Sequence, residues 1–331
     1  MKTNSAFRLT LLAVLVLAGL PLQALSQDNA WTPKRMPWGD PDLQGIWTNA
    51  TVTTLQRPDE LPNLVLTEEE ARRVERGMEQ MVESIDHVGE GDLEAGADVG
   101  GYNSFWMDPG TRVLRVRDEP RGSIITDPED GQIPFRLSKK VSMYWNIYKV
   151  LNWDDNPEER AEGERCTVGF GSTGGPPMLP VLYNNNYQIA QSPGHVMILV
   201  EMNHNVRTIR LGGERLPPAI KPWFGDSIGR WEGETLVVKT TQFHPQQFLR
   251  LALKHQLMMG DDTLVTERFT RINDNEIVYE FTVSDDELYT QDWRGELTLR
   301  KTEGPIYEYA CHEGNYSLPN ILSAARQDEQ D

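Results

Sequence analysis

The residues whose types and spacing could do chemistry fall into three segments. EMNHNVR places Glu201, His204 and Arg207 at three-residue intervals, where a strand runs into a turn. A carboxylate, an imidazole and a guanidinium held close together tune one another's pKa values, which general acid/base catalysis needs. In a regular strand Glu201 and Asn203 share one face and His204 takes the other, so joint use demands a bend or bulge. A salt-bridged strand end is the competing reading. GDSIG sets Asp226 where it could face a pocket and makes Ser227 a match to the G-x-S-x-G nucleophile elbow of a serine hydrolase. The elbow requires a helix next, whereas RWEGETLVV reads as a turn into a strand, so both residues are more simply turn formers. The third segment, IYEYACHEGNYS, sets His312 and Glu313 beside Cys311.

Neutral hydrogen-bonding groups are densest in LYNNNYQIAQ, where Tyr183, Asn185 and Gln188 suit recognition of hydroxyl or carbonyl oxygens, although Asn clusters also form ordinary turns. No H-x-H or H-E-x-x-H spacing supplies convergent metal ligands, so no metal is expected, and a metal-dependent enzyme is a minor alternative. GFGSTG at 169–174 fits the dinucleotide fingerprint in letters, but two prolines follow where a helix should start and no βαβ unit surrounds it. No cofactor is expected.

These residues sit in a chain of 331 with a formal charge of −18. Residues 1–26 combine Lys2 and Arg8, an apolar run and the small-residue site Ala24-Leu25-Ser26, which reads as a secretory signal peptide. Pro21 interrupts the run and no Cys follows it for lipidation, so an exported, periplasmic or extracellular protein without a membrane anchor is expected. Cleavage would take the charge to −20, which disfavours nucleic acid and anionic membrane surfaces as partners. In an oxidising compartment the two cysteines, Cys166 and Cys311, most simply form one disulfide; two buried thiols and a reactive cysteine are the alternatives.

The elements that must position these residues change character along the chain. Thr67 and Glu70 form a capping box for a helix to about Ser84. Residues 86–101 read as a Gly-rich acidic loop. A second helix covers Lys139–Leu151, and a short third one starts at Asn156-Pro157. Helical insertions are thus expected around 67–84 and 138–163 of a single domain spanning 27–331. Beyond Cys166 the texture is strand, turn, strand, from YQIAQ to ELTLR and PIYEYA. Alternation is clearest at Ile277, Tyr279, Phe281 and Val283. This pattern predicts a mainly β fold, an antiparallel meander closing into a barrel, because closure removes exposed edges. Residues 315–326 look like a closing turn and helix.

Taken together, PDLQGIW, YNNNYQIAQ, HVMILVEMNHNVR, WFGDSIGRWEGETLVV and YEYACHEGNYSLPNIL resemble a large family of exported bacterial proteins of mostly unassigned function. That family typically shows E-M-x-H-(D/N)-x-R, G-D-S-x-G-x-W and E-Y-A-C-H-E-G-N-Y in order. The resemblance maps them onto Glu201, His204 and Arg207, then Asp226 and Trp231, then Glu308, Cys311, His312, Glu313 and Asn315. Gly45-Ile46-Trp47 and the meander also resemble lipocalin-like barrels, which implies a mouth holding a small apolar molecule.

Two functions compete. In the first, an exported enzyme does cofactor-independent acid/base chemistry of lyase, hydratase or isomerase type. His204 and His312 would be acid and base, Glu201, Asp226 and Glu313 would set their pKa values, and Arg207 would stabilise negative charge. In the second, a lipocalin-like carrier binds an apolar or aromatic small molecule without catalysis. Tyr183, Asn185, Gln188, Trp231, Tyr309 and Asn315 are the ligand-contact candidates for either. Oligomeric state is not legible at this level.

Overall fold

The computed structural model describes residues 31–86 and 107–329. The expected leader and nearly all of the Gly-rich acidic stretch lie outside these residues. From Thr32 onward the chain forms one compact unit. Its N-terminal part supplies strand β1 (Gly45–Thr48), helix α1 (Glu68–Asp86), the short strands β2 (Arg115–Val116), β3 (Glu119–Pro120) and β4 (Ile125–Asp127), and helix α2 (Leu137–Asn152). Strands β5 (Asn186–Ser192), β6 (His195–Val200), β7 (Val206–Leu211), β8 (Asp226–Glu232) and β9 (Thr235–Thr241) follow. A side hairpin, β10 (Leu249–Ala252) and β11 (His255–Met258), precedes β12 (Leu264–Asn273), β13 (Glu276–Ser284) and β14 (Trp293–Lys301). Two helices, α3 (Cys311–Gly314) and α4 (Ser317–Asp328), close the chain.

Nine strands form a barrel in the order β1-β5-β6-β7-β8-β9-β12-β13-β14, closed by antiparallel pairing of β14 back onto β1 through Trp47 opposite Lys301. Strand β4 adds a short pairing on β14. Period-two patterning drives this: in β12 buried and part-buried residues alternate from Leu264 to Ile272, so that Val265, Glu267, Phe269 and Arg271 point inward. Their partners across the register, Val283, Phe281, Tyr279 and Ile277 of β13, point the same way. The expected mainly β barrel is therefore present, but one seam departs from an antiparallel meander. Strands β7 and β8 are parallel, with Ile209 opposite Ser227. A parallel pair needs a crossover rather than a hairpin, and residues 212–225, with three prolines, supply it.

The lumen is a packed core. Trp47, Tyr187, Phe269, Tyr279, Phe281 and Trp293 are all buried inside it. Phe269 and Tyr279 lie 4.8 Å apart between ring centroids, and Phe281 meets Trp293 edge-on at 5.6 Å. Aromatic pairs in such geometries add to the area they bury. The barrel mouth of a lipocalin-type carrier is thus filled by the protein's own side chains.

The capping box forms as expected, with Thr67 Oγ1 accepting from the Glu70 amide and Glu70 accepting from the Thr67 amide at 2.8 Å. Helix α2 begins at Leu137 behind Arg136, slightly before the expected cap at Ser138. The third helix is one 3₁₀ turn, Pro157–Glu159, capped by Asn156 as expected. PIYEYA is not a strand: residues 305–310 run without sheet partners and lead directly into α3.

Candidate functional site

The sequence-distant motifs meet at one end of the barrel. Strands β5 and β6 pair until Tyr187 faces Val200, and just beyond the last pair the Glu201 amide donates to the Asn186 carbonyl at 3.0 Å. The Asn186 side-chain amide donates to the Glu201 carboxylate at 2.7 Å. A one-turn 3₁₀ segment, Met202–His204, then redirects the chain, with Asn203 at φ 59° and His204 at φ 39°. That bend is the irregularity needed to break strand alternation. It seats Asn203 in the interior, donating to the Cys166 carbonyl at 3.1 Å, and leaves His204 exposed.

The C-terminal segment crosses this end. The Tyr307 amide approaches the Glu201 carboxylate at 3.4 Å. Cys311 is bridged to Cys166, with Cα atoms 5.7 Å apart. Asn315 donates to the Glu164 carbonyl at 2.7 Å and accepts from the Leu318 amide, tying the start of α4 to the same wall. Between these parts lies a groove of about 940 Å³. Tyr183, Asn184, Asn186, Glu201, Tyr307, Tyr309 and Asn315 line it, with Phe170, Leu318 and Ile321 as apolar wall. Among the described residues four carboxylates line it, Asp108, Glu164, Glu201 and Glu308, and no Lys, Arg or His does.

Of the six acid/base candidates, only Glu201 reaches this groove. His312 and Glu313 sit on α3 and face solvent, as His204 does on its own turn. Arg207 points into the barrel, where it is 2% exposed. Its Nη1 and Nη2 donate to the two oxygens of Glu267 at 3.0 and 2.7 Å, and the Tyr279 hydroxyl donates to the same carboxylate at 2.8 Å. Burial alone would depress the Arg207 pKa, but the Glu267 charge and hydrogen bonds outweigh it and the net shift is upward. Burial next to that carboxylate raises the Tyr279 phenol well above its ordinary range. Such a bidentate, hydrogen-bonded pair is a core tie.

Asp226 lies on the far side of the seam. It accepts from Arg210 at 2.8 Å and from the Leu216 amide at 3.1 Å, and Arg215 is within 3.6 Å. Burial pushes its carboxyl up, but the Arg210 and Leu216 hydrogen bonds and the two guanidinium charges more than reverse this and hold it below the usual range. Ser227 points into the lumen and pairs with Thr240 Oγ1 at 2.9 Å, on a strand and not on an elbow. Ser227 thus lacks the strand-turn-helix setting of a nucleophile elbow.

Among the ligand-contact candidates, Tyr183, Tyr309 and Asn315 line the groove. Asn185 does not: fully buried, it accepts from the Val181 amide and donates to the Val181 and Asp108 carbonyls. Gln188 is exposed on the outer face of β5, and Trp231 sits part-buried near the end of β8, opposite Leu236. Among the described residues no group of three His, Cys, Asp or Glu could hold a metal ion.

A second pocket of about 310 Å³ adjoins the groove, and Gly163 and Phe170 belong to the walls of both. Asn146, Lys149 and Trp153, Glu162, and Gln247 to Leu251 surround it. Glu162 is raised by burial. Arg250, also in the wall, is pushed down to about 9 by burial and by the Arg207 charge. Neither residue stands out in the sequence: Glu162 lies in a run of glutamates and Arg250 in FLRLALKH, an alternating strand like its neighbours. Comparison with family models, with curated proteins and with solved structures finds no match to this chain.

Proposed function

We propose that the protein is a non-catalytic binder of a small molecule, and that the ligand lies in the groove beside the barrel, not within the lumen. The observation that carries this is convergence. Tyr183, Asn186, Glu201, Tyr309 and Asn315, spread over more than a hundred residues of chain, line one 940 Å³ space. Both histidines of the acid/base reading face solvent. The volume lies in the range of small-molecule sites. Phe170 and three tyrosines offer flat apolar contact, while Asn184, Asn186 and Asn315 provide amides. Four carboxylates, with no lining cation among the described residues, select against anions and favour a neutral or positively charged aromatic compound.

Titration with tyramine and its neutral analogue 4-ethylphenol, followed by calorimetry, tests this. Tyramine should bind the more tightly, and Glu201→Gln should weaken it by about tenfold, equivalent to ~1.4 kcal/mol, while moving 4-ethylphenol little. His204→Ala and His312→Ala should leave both affinities and the melting temperature unchanged. Equal affinity of Glu201→Gln and wild type for both compounds would remove the groove from consideration.

A further inference from the structure

Arg250, in the wall of the second pocket, carries a charge that no carboxylate among the described residues pairs. Arg250 is 2% exposed. Its Nη1 donates to Ser172 Oγ at 2.9 Å and to the Pro176 carbonyl at 2.6 Å, and its guanidinium carbon lies 5.3 Å from the Phe243 ring centre. Nε and Nη2 have no hydrogen-bond partner among the described residues. Among the described residues no carboxylate comes within ion-pair distance of Arg250. Glu267 belongs to Arg207 and Tyr279. Glu162 shares the wall of the pocket and is near enough to bias the ionisation of Arg250, yet makes no ion pair with it. A buried guanidinium without a counter-charge costs several kcal/mol unless something compensates it.

The unpaired atoms are not arbitrary. Nε–H and the adjacent Nη2–H form one edge of the planar guanidinium, two nearly parallel donors whose spacing matches two oxygens of a carboxylate or phosphate. Nη1, held by Ser172 and Pro176, fixes the plane and so pre-sets that edge. We propose that this pocket is an oxyanion-binding site, in which Nε and Nη2 of Arg250 take the carboxylate or phosphate group of a small molecule. At about 310 Å³ the pocket is at the small end of ligand sites. Because the edge is closed to bulk water, an anion that reaches it exchanges hydration for the guanidinium in a low-dielectric setting, where the pairing is strong. Entry requires the pocket wall to yield.

The site is independent of the groove ligand, whose chemistry has the opposite sign. Calorimetric titration of the full chain with inorganic phosphate, and separately with benzoate, tests it. Saturable binding of phosphate alone identifies a phosphate ester as the ligand class, and of benzoate alone a carboxylic acid; either supports the site. Arg250→Gln should abolish that binding, and Glu201→Gln should leave it intact. Should Arg250→Gln fail to fold, Ala161→Trp, which fills the pocket from its rim with Arg250 in place, should abolish it as well. No saturable binding of either probe up to about 10 mM, a free energy weaker than ~3 kcal/mol, overturns the proposal. So does binding that persists unchanged in the folded Arg250 or Ala161 variant.

Discussion

His255 shows how a single buried side chain can set the protein's acid sensitivity. Its Nε2 accepts from the Ser172 amide at 2.8 Å, a bond that only the neutral ring can make. Burial holds its pKa down to about 3, against an ordinary value of 6.5. A base whose folded pKa is depressed contributes its full stability above the unfolded value, because there neither state is protonated. As pH falls below 6.5 the unfolded chain binds a proton that the native state refuses, and stability is lost until the folded pKa is reached. The slope for one proton is about 1.4 kcal/mol per pH unit, so roughly 2 kcal/mol should vanish between pH 6.5 and 5. Urea denaturation across that interval should show the decline before the carboxylates titrate. His255→Gln should flatten it, and an unchanged slope in the folded variant would assign the decline elsewhere. Arg207 and Glu267 illustrate a different residue-scale lesson. A strand-end guanidinium three residues from a histidine looks catalytic in sequence, and it is instead inward-facing by strand parity, with a partner sixty positions away.

At the scale of elements, the parallel seam accounts for the residue types of the GDSIG segment. Gly225 has φ +73°, and a side-chain carbon there would stand 2.7 Å from the Thr241 carbonyl. A carbon at Gly229 would stand 2.8 Å from the Ile209 side chain across the seam. Asp226 between them ties the crossover to β7 through Arg210 and Leu216. Asp226→Asn should keep the barrel but cost about 2 kcal/mol, the usual worth of charged hydrogen bonds. Since the folded pKa of Asp226 is lowered, its contribution is complete above the unfolded value of 3.8 and is lost as pH falls through the folded one. Thermal melting of wild type and variant should therefore differ most at neutral pH and converge in acid. Strands such as β12 and β13 were legible because period-two alternation is local, and the capping box at Thr67 because its partners are three residues apart. The parallel pairing of β7 with β8 was not legible, since short turn signals imply hairpins. Nor was the absence of strand structure in PIYEYA, where alternation is present but the barrel has already closed through β1 and β14. The groove was half legible. Tyr183, Tyr309, Asn315 and Glu201 were found as hydrogen-bonding clusters or motif letters, whereas His312 and Glu313 misled because a helical turn at α3 rotates them outward.

For the whole molecule, the question is which parts depend on the Cys166–Cys311 bridge. The barrel closes through β1 and β14, with Trp47 buried in its lumen, and neither cysteine lies on a barrel strand. The groove has no such independence: its outer wall is residues 307–321, which belong to no sheet. The disulfide, the Asn315 bond to Glu164 and the Tyr307 approach to Glu201 tether that wall, and Tyr309 packs against the core. The bridge spans a sequence separation of 145, and a loop of that size contributes up to about 5 kcal/mol through restriction of the unfolded chain. Reduction, or Cys166→Ser with Cys311→Ser, should lower global stability by several kcal/mol in urea while the far-ultraviolet circular dichroism of the barrel is kept below the transition. Tyramine affinity should fall under the same conditions by more than Glu201→Gln alone causes, since the entire wall is released. Phosphate or benzoate binding at Arg250 should survive, because the Ser172 and Pro176 bonds to that guanidinium involve neither cysteine. Loss of secondary structure on reduction would instead make the bridge a condition of the fold, and equal tyramine affinity in the reduced protein would show that the C-terminal segment needs no staple.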